Sequence, residues 1–146
     1  MKKLLLLSTL LIFACSYGQT YEDIISIDSK EQFIRIGIEN DYEVIKNNED
    51  VVELAIQPSK NKNGDDVGFG FGTYSNNENA WIVRFQFLRN NFFEKQKYDK
   101  IFSFVKGNLK FERVAGNANY YTLDENRSIG FYIKDDWCNV LLITVN

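Results

Sequence analysis

The stretch from Val67 to Leu88 leaves this chain the least freedom. Val67 to Tyr74 alternates Gly68, Gly70 and Gly72 with Phe69, Phe71 and Thr73, and Ala80 to Leu88 alternates Trp81, Val83, Phe85 and Phe87 with Ile82, Arg84 and Gln86. Successive side chains of a strand point to opposite faces, so this period-two pattern marks two half-buried strands. Ser75-Asn76-Asn77-Glu78-Asn79 between them is polar and rich in turn formers. A hairpin symmetric about Asn77 sets Phe69 opposite Phe85, Phe71 opposite Val83 and Thr73 opposite Trp81. Its other face then pairs Gly68 with Gln86, Gly70 with Arg84 and Gly72 with Ile82. The expectation is a bulky face against a core and a glycine-bared face toward water.

The rest of the chain divides into elements of similar size. Thr20 to Asp28 reads as a link, partly docked through Tyr21, Ile24, Ile25 and Ile27. Ser29-Lys30-Glu31-Gln32 is a capping box and predicts a helix over Lys30 to Glu39 with Asn40 as a left-handed terminator, although Ile34, Ile36 and Ile38 also alternate as a strand would. Tyr42 to Lys46 and Val51 to Gln57 form a second hairpin around Asn47-Asn48-Glu49-Asp50, with Val52, Leu54 and Ile56 toward the core. Asn91-Phe92-Phe93-Glu94 is another capping box, opening a helix with Tyr98, Ile101, Phe102 and Val105 at helical spacing and a left-handed stop at Gly107. Four strands follow: Leu109 to Val114, Asn119 to Leu123, Ser128 to Lys134 and Trp137 to Val145.

At 146 residues the chain suits one domain. The predicted fold is α+β: two tandem helix-plus-four-strand repeats, at about 29–88 and 91–145 within a single domain 19–146, with the helices on one face of a long antiparallel sheet. A shift of 67 residues supports the repeat, placing Asn40 on Gly107, Tyr42 on Leu109, Val44 on Phe111, Leu54 on Tyr121 and Ile56 on Leu123. The helices are expected to cover rows containing Phe69, Phe85, Phe131 and Leu141. This layout resembles that of secreted proteinaceous enzyme inhibitors, including the β-lactamase inhibitory type. The resemblance covers topology, with no shared motif, and implies an inhibitor or immunity-type role.

The first residues read as a secretory signal, with Lys2 and Lys3 ahead of the apolar run Leu4 to Ala14. Ser16-Tyr17-Gly18 places small residues at the positions a signal peptidase reads, giving a signal over 1–18 and a mature start at Gln19. Alternatively, Ile12-Phe13-Ala14-Cys15 resembles a bacterial lipobox, giving a signal over 1–14 and a lipidated Cys15. Loss of Lys2 and Lys3 changes the balance from 17 basic against 20 acidic residues to 15 against 20, a mature charge near −5. An exported acidic chain has little attraction for phosphate backbones, so no nucleic-acid partner is expected. Cys138 is then the one unmodified cysteine, which leaves no internal disulfide and places the stability in the core.

Little in the sequence points to catalysis. The chain has no histidine, the commonest acid/base at neutral pH and the commonest metal ligand. The acidic pairs Glu49-Asp50, Asp65-Asp66, Asp124-Glu125 and Asp135-Asp136 fall at predicted turns and read as solvated turn residues. Cys138 follows Trp137 in an apolar strand and reads as a buried thiol. Asn61, Asn63 and Asp65 have the spacing of a calcium loop, but Asp66 stands where its glycine belongs and Gly72 where its bidentate Glu belongs. Gly68 to Gly72 leads into no helix and so makes no phosphate loop. Phe93, Lys97, Lys100 and Phe104 form a stripe on the second helix, read as Phe93 and Phe104 packing on the first helix beside solvated lysines.

The glycine-bared sheet face is the better candidate. It is expected to carry Gly68, Gly70, Gly72, Tyr74, Ile82, Arg84 and Gln86, joined by Tyr120, Gly130 and Tyr132. Tyrosine and arginine are favoured at binding hot spots, and bare backbone permits close approach. The residues expected to meet a partner are Gly70, Tyr74, Arg84, Gln86, Tyr120 and Tyr132. The function expected is that of a non-enzymatic secreted or cell-envelope protein that binds a protein or peptide, without cofactor or metal, touching a membrane only through a lipid anchor on Cys15. The alternative is a small periplasmic hydrolase using turn carboxylates.

Overall fold

A computed structural model describes residues 19–57, 59–60, 62–63 and 66–145. The expected signal segment, Cys15, Asn61 and Asp65 lie outside these residues. The elements run α1 (Tyr21–Ser26), α2 (Lys30–Glu39), β1 (Tyr42–Asn47), β2 (Val51–Ile56), β3 (Ser59–Lys60), β4 (Asp66–Val67), β5 (Gly70–Asn76), β6 (Ala80–Leu88), α3 (Phe92–Asn108), β7 (Lys110–Ala115), β8 (Ala118–Thr122), β9 (Arg127–Lys134) and β10 (Trp137–Val145).

Each helix starts where a side chain satisfies its free N–H groups. The link expected at Thr20 to Asp28 contains α1, because Thr20 Oγ1 accepts from the Asp23 N–H and Asp23 Oδ2 accepts from the Thr20 N–H. The Ser29 hydroxyl accepts from the Gln32 N–H at 3.3 Å and starts α2, while Gln32 Oε1 reaches the Asp28 N–H at 3.1 Å. The Ile34, Ile36, Ile38 alternation yields to helical spacing: Phe33, Ile36 and Gly37 are buried and Ile38 is exposed. Reversal after α2 falls at Asp41, with φ 66°, one residue beyond the expected Asn40. Asn91 Oδ1 accepts from the Phe93 and Glu94 N–H groups and opens α3. Gly107 does not end that helix in a left-handed turn. It continues to Asn108, and the chain leaves through extended Leu109.

Eight antiparallel strands form one sheet in the order β1-β2-β5-β6-β10-β9-β8-β7, and β3 and β4 pair separately. Two four-strand meanders, each preceded by a helix, therefore meet along β6 and β10. These strands pair over all nine residues of each, from Leu88 opposite Trp137 to Ala80 opposite Val145, and Arg84 opposite Leu141 is the midpoint. The outermost strands both carry a register break, between Val44 and Lys46 in β1 and between Phe111 and Arg113 in β7.

The three helices of the described residues lie over one sheet face. Phe33 of α2 reaches Tyr74 and Phe85, with ring centroids 6.0 and 5.5 Å apart. Tyr98 of α3 reaches Phe87 and Phe131 at 6.5 and 5.9 Å, and Tyr21 holds α1 to Phe104 at 4.5 Å. Phe104 thus packs on α1 and not on the helix Lys30–Glu39 as expected, and Phe93, expected on that same helix, is exposed. Phe85, Phe87 and Phe131 are buried, and burying each fully contributes roughly 1.5 to 3 kcal/mol.

The register of β5 against β6 differs from the expected one. Gly70 pairs with Phe87, Gly72 with Phe85 and Tyr74 with Val83. The cause is the turn: Asn77 Oδ1 accepts from the Asn79 and Ala80 N–H groups, and the Asn77 N–H donates to the Ala80 carbonyl. The hairpin therefore centres between Glu78 and Asn79 instead of on Asn77. The odd shift sends every β5 side chain to the other face. The glycines lie under the helices, where a Cβ on Gly72 would come within 3.2 Å of both Phe33 and Phe85. Phe69 is half exposed and Leu141 lies on the uncovered face, so neither belongs to the covered rows as expected.

Candidate functional site: the uncovered sheet face

The sheet face away from the helices carries a continuous cross-strand row. From one edge to the other it runs Lys46, Glu53, Thr73, Arg84, Leu141, Gly130, Tyr120 and Arg113. A second row runs Val51, Ser75, Ile82, Ile143, Ser128, Thr122 and Lys110. A third runs Ala55, Phe71, Gln86, Asn139 and Tyr132. Within the third, Gln86 Nε2 donates to Asn139 Oδ1 at 3.1 Å, and the Phe71 ring meets Trp137, on the same face of β10 beside Asn139, edge-on at 5.3 Å.

Gly130 and Tyr120 are neighbours in the first row. A Cβ on Gly130 would lie 2.6 Å from Tyr120 Cε1 and 2.8 Å from Cδ1, so the tyrosine ring lies across the bare backbone. The Arg113 guanidinium stands 5.2 Å from that ring's centroid, within cation–π range. Tyr120 is buried as a result, although no helix covers it. It forms one wall of a depression of about 300 Å³ that it shares with Thr73, Ser75, Ile82, Arg84, Leu141 and Ile143.

Charge on this face is distributed unevenly. Lys46 pairs with Glu53 at 3.3 Å, Arg113 pairs with Glu112, and Glu112 Oε2 also accepts from Ser128 Oγ at 2.7 Å. Among the described residues Arg84 forms no ion pair, and its Nε is buried without a hydrogen-bond partner. An unpaired buried donor costs about 1 to 3 kcal/mol. The central cation of the face therefore keeps one buried donor, Nε, without a partner, beside two hydroxyl side chains and an aliphatic floor.

The structure brings Arg84, Gln86, Tyr120 and Tyr132 together on this face, as the sequence implied. Gly70 and Tyr74, expected beside them, lie on the opposite face. A Cβ on Gly70 would meet Ile56, the Gln86 carbonyl and the Tyr42 hydroxyl, and Tyr74 is buried against Phe33. Phe71, Thr73 and Ser75 occupy the places given to the glycines. Thr73, Ser75, Leu141 and Ile143 were missed as lining residues. The side-chain capping capacity of Asn77, a turn signal visible in the sequence, would have found the first two.

The remaining candidates are dispersed. Glu49-Asp50 and Asp124-Glu125 occupy turns at one end of the sheet. They flank β2 and β9, four strand spacings or roughly 19 Å apart. Asp135-Asp136 lies at the other end, between β9 and β10. Arg127 and the Asn126 N–H hold the Asp124 carboxyl below its ordinary range, outweighing an opposing burial effect. Cys138 is fully buried, and burial pushes its thiol up. No group of three metal-ligating side chains occurs among the described residues, and no helix there is long and apolar enough to cross a membrane.

No protein-family model, curated protein or solved structure matches the chain.

Proposed function

We propose that this is a non-enzymatic binding protein, exported to the cell envelope or beyond, that engages a protein or peptide through its uncovered sheet face. The observation that carries this reading is Arg84 at the centre of the face, without an ion pair among the described residues, while Lys46 and Arg113 toward the two edges are each paired with a glutamate. Seven strand spacings and nine-residue central strands make a face on the order of 1,000 Å², comparable with the ~800 Å² that one partner buries in a standard protein interface. Tyr132, Trp137 and Phe71 add aromatic area to it, a composition favoured at interface cores.

The same reading takes the two helix-plus-four-strand halves as a tandem repeat. Support comes from the register breaks in β1 and β7, because the 67-residue shift superposes Val44 and Lys46 on Phe111 and Arg113. Beyond β2 the corresponding strands are 57 residues apart, β5 with β9 and β6 with β10. The difference of ten is accommodated by the longer β2–β5 connection, which contains β3 and β4. On this reading a pseudo-twofold axis passes between Arg84 and Leu141, making a binding centre out of the junction of the halves.

Photocrosslinking tests the face. A benzoylphenylalanine at Ser75 or Tyr132, expressed in the native host, is expected to give a discrete adduct that the same group at the exposed α2 residue Arg35 does not. Adducts that are equal at all three positions, or absent from the sheet positions, would overturn the proposal.

A further inference from the structure

Resting on the binding reading above, we infer that the depression at Arg84 takes an aspartate or glutamate side chain from an exposed loop of a partner protein, with an apolar residue beside it. The argument starts from charge. The chain is acidic overall, yet the centre of its uncovered face presents one guanidinium with no carboxylate on it among the described residues. Glu53, two strands away in the same row, is engaged by Lys46. A guanidinium is a planar fork of donors matched to a carboxylate, and partial burial strengthens such a pair.

The surroundings specify the rest of the ligand. Thr73 and Ser75 place hydroxyls on one side of the depression, where each can donate to an acid oxygen. Ile82, Leu141 and Ile143 offer an aliphatic floor, and Tyr120 a ring fixed between Gly130 and Arg113. An acid with a neighbouring apolar side chain satisfies both parts. Because the depression is an open part of a broad face, it suits a projecting loop, whereas small molecules favour concave sites that enclose most of their surface.

The test uses a displayed library of random linear peptides, panned on the purified mature protein and eluted against a Ser75→Trp variant that fills the depression. The expected outcome is enrichment of Asp or Glu next to Phe, Leu or Tyr. A synthetic selected peptide should lose about tenfold or more in affinity when its acid becomes the amide, and the same swap should change little against Arg84→Met. Phenylacetate alone should bind far more weakly than the peptide. Selected peptides that are blocked by Ser75→Trp but bind independently of their acids would overturn the inference and leave the binding face standing. Phenylacetate matching the peptide would also overturn it, by assigning the depression to a small acid. Failure to select any peptide sensitive to Ser75→Trp would overturn the inference and the reading beneath it together.

Discussion

Gly72 lies directly opposite Phe85 across β5 and β6, with the Phe33 ring resting above the pair. The glycine makes room for two aromatic rings. Gly72→Val, although favourable to strand conformation, should therefore destabilise the protein by about 1 to 3 kcal/mol through overpacking. Urea denaturation with unchanged slope and a lowered midpoint is the expected result. Unaltered stability would place Gly72 on the open face and reverse the register.

Arg84→Met should behave in the opposite way. The substitution keeps the aliphatic stem and removes a buried donor that has no partner, so stability should hold or rise by about 1 kcal/mol. A residue whose removal leaves the fold intact while abolishing peptide binding acts at the interface. A marked fall in melting temperature would show instead that Arg84 supports the sheet.

Tyr42 provides a pH signature. Its hydroxyl is buried and unpartnered, and burial, with the Glu94 charge as a smaller cause, holds its phenol well above the ordinary 10.0. A folded-state value above the unfolded one contributes stability fully below about pH 10, and that contribution is lost as pH rises through the folded value. Tyr42→Phe should thus gain about 1 kcal/mol at neutral pH and soften the decline in stability above pH 10. Melting curves from pH 7 to 11 check both parts. A destabilised variant at pH 7 would show that the hydroxyl is satisfied after all.

Export makes a separate prediction, motivated by the basic and apolar residues before Ser16. The protein isolated from its native host should begin at or near Gln19, or at a lipidated Cys15. Intact mass measurement decides between them, and a retained Met1 would contradict export altogether.

Much of this fold was written locally. Ser29 and Asn91 announced α2 and α3 because capping chemistry acts within four residues, and β6 and β10 were bounded correctly by alternation between turn signals. The helix α1 was missed although Thr20 and Asp23 carry the same signal. What local pattern could not decide was which face of β5 is buried, since glycine gives no hydropathy cue. That choice depends on Asn77 setting the turn and on Phe33, some forty residues away, needing the space. Four of the six residues expected on this face keep their place, Arg84 and Gln86 through their own strand and Tyr120 and Tyr132 through the second meander, whereas Gly70 and Tyr74 moved with β5.

The last strand of the described residues, Trp137–Val145, lies in the middle of the sheet, hydrogen-bonded to β6 on one side and β9 on the other. A chain emerging from its N-terminus therefore cannot join its two meanders until Trp137–Val145 has been made. Contacts between residues so distant in sequence form slowly, because the intervening loop must be closed first. A chain ending at Asp136 should accordingly remain protease-sensitive throughout, and protection of its first meander alone would show that the halves fold independently.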